Sequence, residues 1–339
     1  MDYEKVLNER IKDGTYTLDE AQCIYDYAIN LKKQKLPVIF DRKHLALYLE
    51  TTDYFLKNIT WQDNVDYHYN EFSIPKRNGE KRIINAPKEQ LKLFQNWIRK
   101  NILENVEVSC AAKAYIKGLS IVDNAKYHIK KKYILKLDFK DFFPNIKFEK
   151  IYSIFHNLGY TKEVSYILTK LCTYKNALAQ GAPTSPCISN ICCKNLDNRI
   201  LKYCQYHGMC YTRYADDITI SSFDEITEGD KAILYEIIGD EGFILNVDKT
   251  KELSVKQRHY ITGVVVNNKL NVLKKIRNNL RQEIYYCKKY GVNNHLERQG
   301  KVYSFYKEHL YGMAYYILMI NKDTGRKFLN ELDEIQWDY

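Results

Sequence analysis

The chain has 339 residues, beyond the length at which one apolar core keeps growing, so two or three lobes are expected. Its 52 Lys+Arg against 42 Asp+Glu leave a formal charge of +10, which suits a polyanionic partner and excludes little by itself. No apolar run approaches a membrane span, the longest candidate being residues 313–320, and Met1-Asp2-Tyr3-Glu4-Lys5 lacks a basic-then-apolar signal, so no membrane partner and a cytoplasmic location are expected.

Residues 1–65 carry helical patterns, one with Thr17 as N-cap before Leu18-Asp19-Glu20 and another over residues 41–49. No chemistry attaches to them. From Tyr67 the pattern alternates over His68 to Pro75, turns at Lys76-Arg77-Asn78-Gly79-Glu80 and returns over Lys81 to Pro87. This basic hairpin reads equally as a solvated charged turn or as a grip on phosphates. A helix over residues 88–103 follows, with Leu91, Phe94, Trp97 and Ile98 on one face. In Asn124-Ala125-Lys126-Tyr127-His128, the histidine taken alone reads as a partly buried packing residue.

Tyr133 to Leu137 is an apolar run that ends in Asp138. Helices are expected over 147–158 and 162–171. Ala179-Gln180-Gly181-Ala182-Pro183-Thr184-Ser185-Pro186 then makes a fixed loop, capping a helix from about Cys187 to Tyr206. Next, two β-prone runs within Cys210 to Ser221 flank a tight Ala215-Asp216-Asp217 corner, which predicts a β-hairpin. An isolated Asp-Asp is usually a polar turn. Here adjacent carboxylates repel, and a divalent cation would relieve them. With Asp138 ending a neighbouring strand, three acids can converge on two metal ions, the arrangement that nucleotidyl transfer needs.

Beyond the hairpin the pattern predicts a helix over 231–239, a strand and turn from Gly242 to Lys249, and a hairpin of His259 to Val266 with Asn268 to Val272. The class is α+β, a sheet covered on one face by helices. In the C-terminal helical segment Leu273, Ile276, Leu280 and Ile284 form one apolar stripe. Lys269, Lys274, Lys275, Arg277, Arg281, Lys288 and Lys289 stand against Glu283 alone, a concentration that favours nucleic-acid contact over a solvated face. Nine cysteines at irregular spacings include no paired C-x-x-C unit and read as reduced thiols, not a zinc site.

The order of a basic hairpin, Asp138-x-x-x-Phe142-Phe143, Gln180-Gly181-x-x-x-Ser185-Pro186, Tyr214-Ala215-Asp216-Asp217 and a Gly-to-Lys249 turn resembles the reverse transcriptase palm over about residues 70–270. Asn124 to His128 is similar to the Asn-Ala-x-x-His signature of retron reverse transcriptases. Ile261-Thr262-Gly263 resembles their Val-Thr-Gly, with Ile for Val. Ala179 departs from the proline common before Gln-Gly, which bears on loop rigidity and not on chemistry.

The resemblance implies a right-hand polymerase with fingers, a palm whose antiparallel sheet is backed by helices, and a helical thumb. Its divisions would be a helical N-terminal region at 1–65, fingers at 66–130, a palm at 131–266 with a fingers insertion near 147–178, and a thumb at 267–339. It implies catalysis by Asp138, Asp216 and Asp217, with Phe139 joining them in the set around two Mg²⁺ ions; Asp141 lies outside that set. Lys76, Arg82, Phe143, Gln180, Gly181 and Lys249 would meet the dNTP, Phe143 as the gate against a ribose 2′-OH. Tyr214 would pack on the primer end. Asn124, His128, Ile261, Thr262 and Gly263 would recognise RNA, and Lys274, Lys275, Arg277 and Arg281 would grip a duplex.

For the retron family it further implies a cognate structured noncoding RNA as template and primer. Synthesis starts from the 2′-OH of an internal guanosine and yields RNA-linked single-stranded DNA (msDNA). Antiphage defence, a separate effector protein and a higher-order assembly belong to the same expectation. The alternatives are another bacterial reverse transcriptase class, of abortive-infection or group II intron type, and a catalytically silent RNA-binding scaffold. Three clustered acids beside phosphates weigh against the scaffold.

Overall fold

A computed structural model describes residues 3–75, 79–300 and 304–337. Lys76 lies outside the described residues. The strands in chain order are β1 (Tyr69–Pro75), β2 (Lys81–Pro87), β3 (Tyr133–Asp138), β4 (Thr173–Tyr174), β5 (Ala177–Leu178), β6 (Cys210–Tyr214), β7 (Asp217–Ser222), β8 (Lys251–Leu253), β9 (Tyr260–Ile261), β10 (Val264–Val265) and β11 (Asn271–Val272). The chain forms two compact units, each discontinuous in sequence. No described helix is long and apolar enough to cross a membrane.

The first unit comprises Met1–Cys110, Phe139–Asn198 and Ile238–Ile244. Its N-terminal part is helical, and Thr17 caps the helix Leu18–Lys33 in a reciprocal capping box with Glu20. The basic hairpin forms as read, β1 against β2, from Tyr69 opposite Pro87 to Pro75 opposite Lys81. Helices Phe148–Asn157 and Lys162–Cys172 fall where their apolar stripes place them. The helix expected over 187–206 is two, Ser185–Cys192 and Lys194–Tyr206, with Pro186 in the first turn, where its missing N–H costs nothing.

The second unit comprises Ala111–Asp138, Arg199–Ile237 and Leu245–Tyr339. At its centre is a fully antiparallel sheet in the order β6-β7-β3-β8. Strand alternation gives the sheet two faces. One carries Leu135, Leu137, Ile218, Ile220 and Tyr211, all buried, and each aliphatic among them contributes about 1.5–3 kcal/mol by leaving water. The other carries Asp138, Asp217 and the polar residues behind them.

Two readings of this unit are corrected. Of the strand and turn expected from Gly242 to Lys249, the turn forms, as a 3₁₀ turn at Val247–Lys249, but no strand precedes it beyond a single bridge at Leu245, and the strand beside β3 is β8. The run 259–266 is not one strand either, because Thr262 (φ 46°) and Gly263 (φ 89°) are both left-handed and fold it back into β9 and β10. The resulting small sheet, β11-β10-β9, shares an apolar core with the C-terminal helices: Ala125, Ile134, Ile261, Val264 and Val266 pack in one cluster with Leu280, Ile284, Leu310, Ile317 and Phe328.

Candidate active site

In β7 the residue opposite Tyr214 is Asp217, and the residue opposite Asp217 across the next ladder is Asp138. Directly opposed residues share a face. The register therefore sets Asp138 and Asp217 side by side on the polar face, with Asp216 at the turn beside them. Asp138 is buried, and Asp216 and Asp217 are half-buried. The turn is tight because Ala215 takes φ 59°, a left-handed conformation that costs a residue with a Cβ about 1 kcal/mol or more. Part of what holds it is Arg213, fully buried on the opposite face, whose guanidinium donates to the Ala215 carbonyl at 3.1 Å.

Crowding the acids has an electrostatic cost. The Asp217 carboxyl is pushed up to about 6, by burial first and by the charge of Asp216 next; Lys136 pulls the other way, and Asp138 adds to the rise. Asp138 is compensated by Lys249, whose ammonium donates to Oδ1 at 2.7 Å. That bond raises the Lys249 pKa. Its position comes from main chain: the Asn246 N–H donates to the Asp138 carbonyl at 2.8 Å, just before the 3₁₀ turn that carries Lys249.

The donor set fits a hard divalent cation: two carboxylates directly opposed on neighbouring strands and a third at the adjoining turn, one of them made protonation-prone by burial and by its neighbours' charge. Yet among the described residues no three His, Cys, Asp or Glu side chains already close around a point. The backbone brings the candidate ligands to one place, and Lys249 stands against one of them. Phe139 has its ring buried against Phe142 and Phe243, with centroids 5.5 and 4.8 Å away, so only its main-chain carbonyl is left as a donor.

The other described residues expected to meet the nucleotide belong to the first unit. Gln180 and Gly181 lie against β2: the Asn85 N–H donates to the Gln180 carbonyl at 2.8 Å. A Cβ on Gly181 would sit 3.0 Å from the Asn85 carbonyl oxygen and 2.9 Å from Ile84 Cγ2, at a φ of 128°. This close approach requires glycine. Ser185 secures the loop by donating to the Ala179 carbonyl at 2.8 Å. Arg82 is exposed on the same strand, three residues before Asn85, and Phe143 is half-buried beside Phe142.

The signature segments sit deeper than recognition residues would. His128 is 0% exposed and Asn124 1%, so neither side chain presents a surface for RNA to touch. Asn124 donates to Thr262 Oγ1 at 3.4 Å, tying the two signatures together. Ile261 is buried in the shared core, while Thr262 and Gly263 are half-exposed at their turn. On the helix Lys274–Tyr290, Lys274, Lys275 and Arg281 are exposed and Arg277 is half-buried. Glu283 turns away from the basic face, accepting from the Tyr306 hydroxyl at 2.6 Å and pairing with His295 at 2.7 Å. Thr212, Ser221, Lys136 and Arg213 were not singled out from sequence. Their only signal is alternation behind the Asp-Asp corner.

The sequence profile of the family described as reverse transcriptase (RNA-dependent DNA polymerase) matches residues 74–266, more than half of the chain. The chain is 33% identical over 281 residues to the retron Ec86 reverse transcriptase of Escherichia coli, covering 81% of this chain and 83% of that protein. To the retron Mx162 reverse transcriptase of Myxococcus xanthus it is 33% identical over 304 residues, 79% of this chain and 61% of that one. A solved telomerase from Candida albicans aligns with a TM-score of 0.45 at 14% identity, over 78% of this chain and 63% of that one, too remote to add to the match. The antiparallel sheet with paired acids at its hairpin thus has the sequence context of a polymerase palm in the right-hand fold. The chain belongs to the retron reverse transcriptases and is an RNA-directed DNA polymerase.

Proposed function

We propose that the chain copies a cognate structured noncoding RNA into msDNA, starting from the 2′-OH of an internal guanosine, as the polymerase of an antiphage system with a separate effector. The observation that carries the polymerase reading is the register pair Asp138–Asp217 with Asp216 at the adjoining turn. The retron-specific part rests on the paired signatures around Asn124–His128 and Ile261–Gly263 and on the relatives. The divisions at 65/66, 130/131 and 266/267 are our functional reading of the chain.

In this reading Asp138, Asp216 and Asp217, with the Phe139 carbonyl, hold two Mg²⁺ ions. Bound metal of this kind supplies activation of the primer hydroxyl and neutralisation of the leaving pyrophosphate. The protein's own groups do the rest. Lys249, already an ammonium beside the acids, contacts the triphosphate, and Arg82 and Lys76 bring further positive charge to it. Gln180 and Gly181 offer a close-packed backbone surface to the incoming nucleotide, Phe143 blocks a ribose 2′-OH, and Tyr214 supports the primer end.

The test is to purify the chain with its bound nucleic acid and sequence both strands. Wild type should carry DNA branched from an internal guanosine of the RNA, with the RNA trimmed by RNase to a short branched stub, whereas Asp216→Asn with Asp217→Asn should carry the RNA and no DNA. DNA in the double variant, or unbranched DNA in the wild type, would contradict the proposal.

A further inference from the structure

The His128 ring is enclosed on the polar face of the catalytic sheet. Its Nδ1 lies 2.6 Å from Ser221 Oγ and its Nε2 2.8 Å from Thr212 Oγ1. Thr212 belongs to β6 and Ser221 to β7, the two strands that the Ala215-Asp216 turn joins. Because Thr212 opposes Thr219, and Cys210 opposes Ser221, the two hydroxyls are diagonal neighbours on one face. That face is also Asp217's, since Asp217, Thr219 and Ser221 alternate along β7.

All three side chains are within 1% of complete burial, so water does not compete for these bonds. Burial, together with the charge of Lys131, pushes the imidazole down to about 3. A neutral ring has one donor and one acceptor nitrogen, so one hydroxyl accepts from it and the other donates to it. The segment is itself anchored: Ser120 caps the helix Ile121–Ala125, and the Lys130 N–H donates to the Val266 carbonyl at 3.0 Å.

We propose that His128 is a positioning residue of the polymerase: it staples β6 to β7 behind the catalytic turn, and the Asn-Ala-x-x-His segment serves the chemistry through that staple instead of reading RNA with its imidazole. Arg213 holds the same turn from the opposite face, so the Asp216-Asp217 tip is fixed from both sides. Fixing matters because displacement of a catalytic group by about 1 Å costs on the order of a hundredfold in rate. The inference rests on the polymerase assignment.

The experiment compares full-length wild type, His128→Leu and the double variant Thr212→Val/Ser221→Ala in two assays. One is steady-state extension of oligo(dT) on poly(rA), which contains no cognate sequence. The other is affinity for the RNA that co-purifies with the wild type. Both variants should lose about tenfold to a hundredfold in kcat on poly(rA), with KM for dTTP and the RNA affinity within about threefold. Adding His128→Leu to the double variant should cost nothing more, because the three side chains act as one unit.

Intact poly(rA) extension with weakened RNA binding would overturn the proposal and return His128 to recognition, and so would losses that multiply. If His128→Leu does not fold by circular dichroism, the near-isosteric double variant decides alone, by the same kcat against KM split. A wild type that extends nothing would overturn the polymerase assignment and this inference with it, a pattern distinct from either result.

Discussion

Asp217 carries the sharpest conflict at the level of single residues. Its carboxyl titrates at about 6 in the folded chain, raised by burial and then by Asp216, against roughly 4 when unfolded. Between those values the folded state holds the extra proton, so the stability present below pH ~4 is lost as pH rises through about 6. At neutral pH the ionised group then costs on the order of 2 kcal/mol. With divalent metal chelated, Asp217→Asn should melt a few degrees above wild type at pH 7, with the gap closing below pH ~4. Differential scanning fluorimetry across pH checks this, and parallel melting curves at every pH would refute it. The approach of Asp138 to the Asp216-Asp217 corner was legible in the sequence because one acid ends an apolar run and two share a hairpin corner, where their repulsion calls for a cation. His128 was not: a histidine is equally ordinary in a core and at a surface, and its two partners lie 84 and 93 residues away.

At the level of elements, legibility followed local pattern. The runs at 69–87 and 210–222 alternate in sequence, so both hairpins form where read, the second even though Ala215 turns left-handed against its preference. The run 259–266 misleads, because a β-branched Thr262 in a left-handed turn defies every local preference. The helix Lys274–Tyr290 adds something the count of charges hid: Glu283 belongs to an internal network with His295, Gln299 and Tyr306, leaving the outer face basic. Replacing Lys274, Lys275 and Arg281 with Ala should therefore weaken binding to an RNA–DNA hybrid and flatten the plot of log affinity against log salt by roughly two to three units, about one per phosphate released. Melting temperature should hardly move, since all three are exposed. An unchanged salt slope would mean this face does not meet the duplex.

For the whole chain, the question is whether the C-terminal helices are an appendage or part of what keeps the catalytic sheet folded. One apolar cluster runs from Ile134 on β3 and Ala125 beside His128, through Ile261, Val264 and Val266, to Leu280, Leu310, Ile317 and Phe328. Within it the helices Tyr306–Ile320 and Lys322–Asp333 approach so closely that a Cβ on Gly325 would lie 2.2 Å from Leu318 Cα. Gly325→Ala must push them apart and should lower the melting temperature by several degrees. Ending the chain at residue 266 is the stronger probe. It uncovers Ala125, Ile134, Ile261, Val264 and Val266, each at most 1% exposed in the full chain. At about 1.5–3 kcal/mol per fully buried aliphatic side chain, even half of that exposure rivals the net stability of a typical domain. The truncated chain should lose hydrogen-exchange protection along β3 and with it the alignment of Asp138 opposite Asp217. If β3 amides stay protected and poly(rA) is still copied, the helices are dispensable to the palm, and the shared core contributes far less than its burial implies.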